Sequence, residues 1–222
     1  MLKGSVFKRF HHFARLDLRI GHVNNVIRHP SSSKLYVLQV QTSNLEPLVN
    51  KQICSGLQEH IPIENLQNQF VVVLENIKKC KLRGEVSEAM LLCGVQQSST
   101  DVNNNNTNSS VTSKVVLCKP LKTNPDLIGQ RILLKSGITC SPPLSKLENK
   151  ELVKRLKSKE WDDISSRLKV SSNGDVVYIQ SEKEIQEANS NNIEDSLVVW
   201  SNELNEYIPI KVQGLPEGSS VC

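Results

Sequence analysis

The stretch Asn76–Met90, NIKKCKLRGEVSEAM, decides how this chain is read. Four cations, Lys78, Lys79, Lys81 and Arg83, fall within six positions and run directly into Gly84. Charges of one sign at that spacing repel one another unless something anionic meets them. An apolar run, QFVVVLENI (69–77), precedes them, and a small-residue strand, EVSEAMLLCG (85–94), follows. The cations therefore lie on a connection between two strands. Gly84 lets the backbone approach a phosphate or a base closely. A solvated hairpin would account for the same residues. A phosphate-bearing partner also accounts for the concentration of charge, because Lys and Arg release counterions from phosphates. An amide such as Asn76, a hydroxyl such as Ser87 and an apolar surface such as Met90 would then stand beside an unstacked base.

The charge of the whole chain is uneven in the same sense. The 222 residues carry a formal net charge of +4. Residues 1–100 hold twelve Lys/Arg against seven Asp/Glu, whereas residues 181–206 hold seven acids and Lys183 as their one base. A polyanion would meet the N-terminal part, together with the basic run Lys146–Lys159. The first fifteen residues, MLKGSVFKRFHHFAR, contain no acid, and Leu2, Val6, Phe10 and Phe13 would share one helical face. They read as a basic lead-in to the fold, with a mitochondrial presequence as the alternative.

Outward from the basic stretch, residues 16–97 read as five short strands between turn signals. LDLRIGHVNNVIRH is the first and KLYVLQVQ the second, separated by the turn His29-Pro30-Ser31-Ser32-Ser33. A third ends at ICSGL, IPIENLQ is a short helix with Pro62 in its first turn, and the strands flanking the basic turn complete the set. Five strands with a short helix between the third and fourth match the order of an OB-fold, a small Greek-key barrel that binds nucleic acid on one face and in its loops.

Residues 98–114, rich in Asn and Ser, read as a disordered insert, and ANSNNIEDS (188–196) as a second. Residues 115–222 read as a smaller β-rich module with one or two helices, its main helix placed over 146–168 by the spacing of Leu147, Leu152, Leu156, Trp161, Ile164 and Leu168. The fold class is thus mostly β.

Four segments together carry a resemblance. LDLRIG (16–21), HPSSSKLYV (29–37), CSGL (54–57) and NIKKCKLRGEVSEAM (76–90) resemble the tRNA-binding domain of the endothelial monocyte-activating polypeptide II type. Past residue 115, NPDLIGQRILL, KSKEWDDISSRLKVSSNGDVVY and YIPIKVQGLPEGSSV resemble the appended module of its eukaryotic members. The resemblance implies an OB barrel, tRNA as partner, an aminoacyl-tRNA synthetase as a second partner, and a monomeric folded core. It implies an RNA-binding set of Asn76, Lys78, Lys79, Lys81, Arg83, Ser87 and Met90, with Lys34 on the His29-Pro30 loop. The member is divergent: serines occupy 31–33 where a carboxylate is usual, the acid expected near Leu38-Gln39 is absent, and Cys80 replaces a small residue or proline.

The remaining motifs are ordinary. The six cysteines form no C-x-x-C pair, and no histidine lies at zinc-finger spacing from a pair, so neither metal nor other cofactor is expected. His11-His12 belongs to the basic lead-in, and Asp162-Asp163 to a solvated helix face. No phosphate loop, nucleophile elbow or H-E-x-x-H is present, so no enzyme is expected. No apolar run approaches the roughly 20 residues of a membrane span. A cytoplasmic tRNA-binding protein that acts in trans as an aminoacylation cofactor is the expected function. The alternatives are a protein-interaction module that kept the fold without RNA binding, and a general single-stranded nucleic-acid binder.

Overall fold

The run Val71-Val72-Val73-Leu74 is buried at every position, which a strand achieves only when both of its faces are covered. A computed structural model, which describes residues 13–96, 113–136, 154–188 and 193–222, shows what covers them. Val71 and Val73 point into one core with Val23, Tyr36, Leu38, Val40 and Ile53. Val72 and Leu74 point the other way, into a second core with Leu18, Ile20, Ile132, Leu134, Tyr178 and Val199. Full burial of such a side chain is worth about 1.5–3 kcal/mol, so this one strand ties two cores together.

The first core is the inside of a barrel. Its strands are β1 (Leu18–Arg28), β2 (Tyr36–Gln41), β3 (Asn50–Ser55) and β4 (Phe70–Leu74). They are followed by β5 (Cys80–Leu82), β6 (Glu85–Ser87) and β7 (Met90–Leu91). The sheet runs β3-β2-β1-β4-β7, antiparallel throughout. The segment from β6 to β7 returns to β3: Glu88 N–H donates to the Gln52 carbonyl at 2.9 Å, and Cys54 N–H donates to Ser87 Oγ at 3.0 Å. That nearly closes the barrel in the order expected of an OB-fold. The register of β1 shifts between Val23 and Asn25, a bulge that lets the strand curve around the barrel. Gly21 faces the crowded interior, where an added Cβ would stand 2.6 Å from Val40 Cγ1.

The second core lies between this barrel and a sheet built largely from the second half. Its strands are β8 (Cys93–Gln96), β9 (Lys114–Leu117), β10 (Lys119–Pro120) and β11 (Ile132–Leu134). After helix α1 (Ser158–Ser165) come β12 (Leu168–Val170) and β13 (Val176–Ile179). After helix α2 (Glu182–Ala188) come β14 (Glu194–Ser201), β15 (Glu206–Lys211) and β16 (Ser220–Val221). The sheet runs β10-β15-β14-β13-β12-β16-β8-β9, with β11 on β14. The mostly-β class with two helices is as expected.

Four local expectations differ from what is found. The helix between β3 and β4 is a single 3-10 turn, Ile63–Asn65, with Pro62 before it rather than inside it. The fifth strand is broken into β6, β7 and β8, because each piece pairs with a different neighbour. Among the described residues, the helix placed over 146–168 extends only from Ser158 to Ser165. Lys157 is already in the extended region, with φ −83° and ψ 150°, and Leu168 opens a strand. The polar stretch 188–196 contributes Glu194–Ser196 to β14, where Asp195 is buried and accepts from Ser136 N–H at 3.0 Å. Residues 1–12 with His11-His12, 98–112 of the Asn-rich stretch, 146–153 and 189–192 lie outside the described residues.

Candidate nucleic-acid interface

The basic stretch folds as a hairpin. Leu82 pairs with Glu85, leaving Arg83-Gly84 as a two-residue turn. Both turn residues have positive φ, 50° and 109°, as a type I′ turn requires. A Cβ on Gly84 would meet no protein atom within 4 Å, so the positive φ and not crowding within the fold calls for glycine here. Side chains alternate across the hairpin. Leu82 and Ser87 face the barrel, while Lys81 and its partner Val86 face solvent.

The tip is held by the loop after β1, 53 and 52 residues away in sequence at its two contacts. His29 is buried, and its Nδ1 accepts from Ser31 N–H at 3.1 Å. The proton is therefore on Nε2, which donates to the Leu82 carbonyl at 3.1 Å. The Ser31 hydroxyl donates to the Arg83 carbonyl at 3.1 Å. These contacts grip the backbone on either side of Arg83 and leave its guanidinium exposed. Beneath the hairpin a cleft of about 220 Å³ opens on the outer face of β1–β3, lined by Asn25, Ile27, Arg28, Gln39, Gln52 and Glu85 among others.

The eight expected RNA-binding residues fall into three groups. Lys78, Lys81 and Arg83 are exposed, and among the described residues none pairs with a carboxylate. Lys79 and Lys34 are exposed but paired. Lys79 Nζ lies 2.5 Å from Glu88 Oε1, and Lys34 Nζ lies 3.8 Å from Glu59 Oε2. The hydrogen bond from Lys79, followed by that from Gln52 N–H, holds the Glu88 carboxyl below its ordinary range.

Ser87 is buried, and Asn76 and Met90 are half-buried; all three make contacts within the fold. The Ser87 hydroxyl accepts from Cys54 N–H and donates to the Ala89 carbonyl at 3.0 Å. Half-buried Met90 packs against the second core. Asn76 joins three segments: its Oδ1 accepts from Asp17 N–H at 3.0 Å, and its Nδ2 donates to the carbonyls of Arg15 at 2.7 Å and Lys154 at 3.0 Å. Its own carbonyl accepts from Leu156 N–H at 2.8 Å. Those bonds bring the basic segment Lys154–Lys159 beside the hairpin. Arg155 lines an open groove of about 440 Å³ with Asn76, Ile77, Lys78 and Lys79.

The grip of His29 and Ser31 on the tip is absent from the sequence pattern, in which His29-Pro30 reads only as a turn. A histidine preceding Pro at the end of an apolar strand is the one trace of it. Cys80 is an exposed free thiol on the hairpin, whereas burial pushes the Cys93 thiol up to about 12, and Cys118 well above its ordinary value. Asp162 and Asp163 are exposed on α1, as a solvated helix face requires. Among the described residues no helix is long and apolar enough to cross a membrane.

Residues 18–116 match the family model described as "Putative tRNA binding domain". The chain is 42% identical over 80 residues to aminoacyl tRNA synthase complex-interacting multifunctional protein 1 of Cricetulus griseus, a match covering 36% of this chain and 21% of that protein. It is 30% identical over 160 residues to cytoplasmic methionine–tRNA ligase of Caenorhabditis elegans, covering 72% of this chain and 14% of that one. The chain thus spans a minor part of the length of these relatives. In fold it is similar to the C-terminal domain of Plasmodium vivax p43, with a TM-score of 0.61 at 24% identity, covering 94% of this chain and 97% of that one.

Proposed function

From the match of residues 18–116 to that family model, we propose that the chain is a tRNA-binding protein acting in trans. It holds tRNA for a separate aminoacyl-tRNA synthetase and carries out no aminoacylation itself. The observation that carries this reading is the set Lys78, Lys81 and Arg83, unpaired with carboxylates among the described residues, on and just before a hairpin whose tip is held by His29 and Ser31. A backbone held in advance suits a partner recognised by the contour of its phosphates, because only the side chains remain to be ordered on binding. Lys79, Lys34 and the cleft on β1–β3 flank the direct contacts. Asn76, Ser87 and Met90 act by positioning them.

We take residues 16–97 as the RNA-holding barrel and 115–222 as its companion, monomeric together. The cytoplasm is the proposed compartment, in line with the printed name of the Caenorhabditis relative. The mitochondrial alternative rests on the acid-free residues 1–15.

A fluorescence titration with total tRNA over a series of salt concentrations, repeated with an unstructured RNA of equal charge as competitor, tests the proposal. Salt-dependent tRNA binding that the unstructured RNA competes poorly supports it. Equal competition would make the chain a general single-strand binder, and no binding at low salt would leave a protein-interaction module.

A further inference from the structure

We propose that Arg155, from the second half of the chain, forms with Lys78 a second phosphate-binding groove, so that both halves grip one RNA backbone. This rests on the tRNA-binding reading above and extends it to a residue outside the matched region, residues 18–116.

The groove is built by Asn76. Leu156 is buried in the second core and donates its N–H to the Asn76 carbonyl, while the Lys154 carbonyl accepts from the Asn76 amide. Both neighbours of Arg155 are thereby fixed to the same residue. Leu156 turns inward, and in an extended chain the adjacent side chain turns outward. Arg155 is indeed exposed, facing Lys78 and Lys79 across the open groove of about 440 Å³, with Ile77 among its lining residues.

Among the described residues no carboxylate lines this groove. Among those residues, too, the acids near its two basic walls in the chain have other partners. Glu75 lies 2.8 Å from Lys51 Nζ and 3.8 Å from Arg19 Nε. Glu88 holds Lys79, and Glu160 accepts from Arg15 Nη1 at 2.8 Å and from Lys157 N–H at 3.1 Å. Arg155 and Lys78 are therefore the uncompensated charges. A guanidinium fork facing an ammonium across an open slot suits a phosphodiester, which offers two free oxygens to the fork and charge to the ammonium. Ile77 gives the intervening ribose or base an apolar surface. An isolated anion would gain little from an open slot. A continuous backbone already held at the hairpin tip gains from it, because the second contact is then intramolecular.

The test is the salt dependence of total-tRNA binding by wild type, Arg155→Gln, Arg155→Glu and, as a charge control elsewhere, Lys122→Gln. The exposed Arg155 side chain makes these variants fold normally, checked by their thermal midpoints. Arg155→Gln is expected to flatten the slope of log K against log salt by about 0.8, the loss of one phosphate contact. Arg155→Glu is expected to weaken binding about tenfold at low salt, with Lys122→Gln unchanged. Wild-type affinity and slope in both Arg155 variants, while Lys78→Gln weakens binding, would overturn the groove and leave the tRNA-binding reading standing. A wild type that binds no tRNA at low salt would overturn both.

Discussion

Two basic segments, Lys78–Arg83 and Lys154–Lys159, carry the same kind of charge and are held in opposite ways. The first is a hairpin with its own ladder, and two side chains from the β1–β2 loop grip its tip. The second has no ladder where it passes the barrel. One side chain, Asn76, takes hold of its backbone, and Leu156 anchors it in the second core. The difference teaches how a protein keeps like charges together. In both places a buried or half-buried polar group from a distant part of the chain is bonded to backbone. The cationic side chains need no carboxylate to hold them and stay open to an anion. Where a pair does form, as at Lys79 and Glu88, the cation is partly neutralised.

Removing each anchor in turn separates the two segments. The largest effect is expected for His29→Ala. It empties a buried site and leaves the Leu82 carbonyl and Ser31 N–H unbonded, at about 2–3 kcal/mol of stability by denaturant titration. It should also weaken tRNA binding while the Arg155 segment remains in place. Asn76→Ala comes next, at about 1–2 kcal/mol, because the half-buried side chain leaves the Asp17 N–H and two carbonyls without their partner. Its distinguishing sign is non-additivity. Combined with Arg155→Gln it should reduce tRNA affinity no further than Asn76→Ala alone, since the guanidinium has already lost its placement.

The smallest effect concerns the barrel seam under acid. The folded carboxyl of Glu88 is held below its ordinary range by Lys79 and Gln52. Such a group stabilises fully above the unfolded pKa, near pH 4.3, and that stabilisation is lost as pH falls through the lower folded value. Wild type should therefore exceed Glu88→Gln in thermal midpoint at pH 6, and the gap should close below about pH 4. A gap that widened on acidification would contradict the seam as described.

The same contrast explains what could be read from the sequence. The barrel was legible because β4 is apolar on both faces and Arg83-Gly84 marks a turn. The four segments carrying the family resemblance lie in β1, in the loop and strand after it, at the end of β3 and across the hairpin. The strap at 154–157 was not legible. Its leucines recur at helical spacing, yet Leu156 is bonded to Asn76 and so belongs to a tertiary contact that no local period reveals. Asn76 and Ser87 stand out in the sequence as polar positions beside the cations, but a polar residue there looks the same whether it faces a ligand or bonds to distant backbone. Only the distances to Lys154, Arg15 and Cys54 separate the two.

The central claim is that uncompensated cations at one rim of the barrel meet the phosphates of tRNA. The most direct measurement is the affinity of Lys78→Glu/Arg83→Glu for total tRNA at low salt, beside wild type at matched thermal stability. Two reversed contacts, each worth about 1.4 kcal/mol, predict a loss of about 100-fold together with a shallower salt slope. Binding within twofold of wild type, by a folded double variant, would contradict the account.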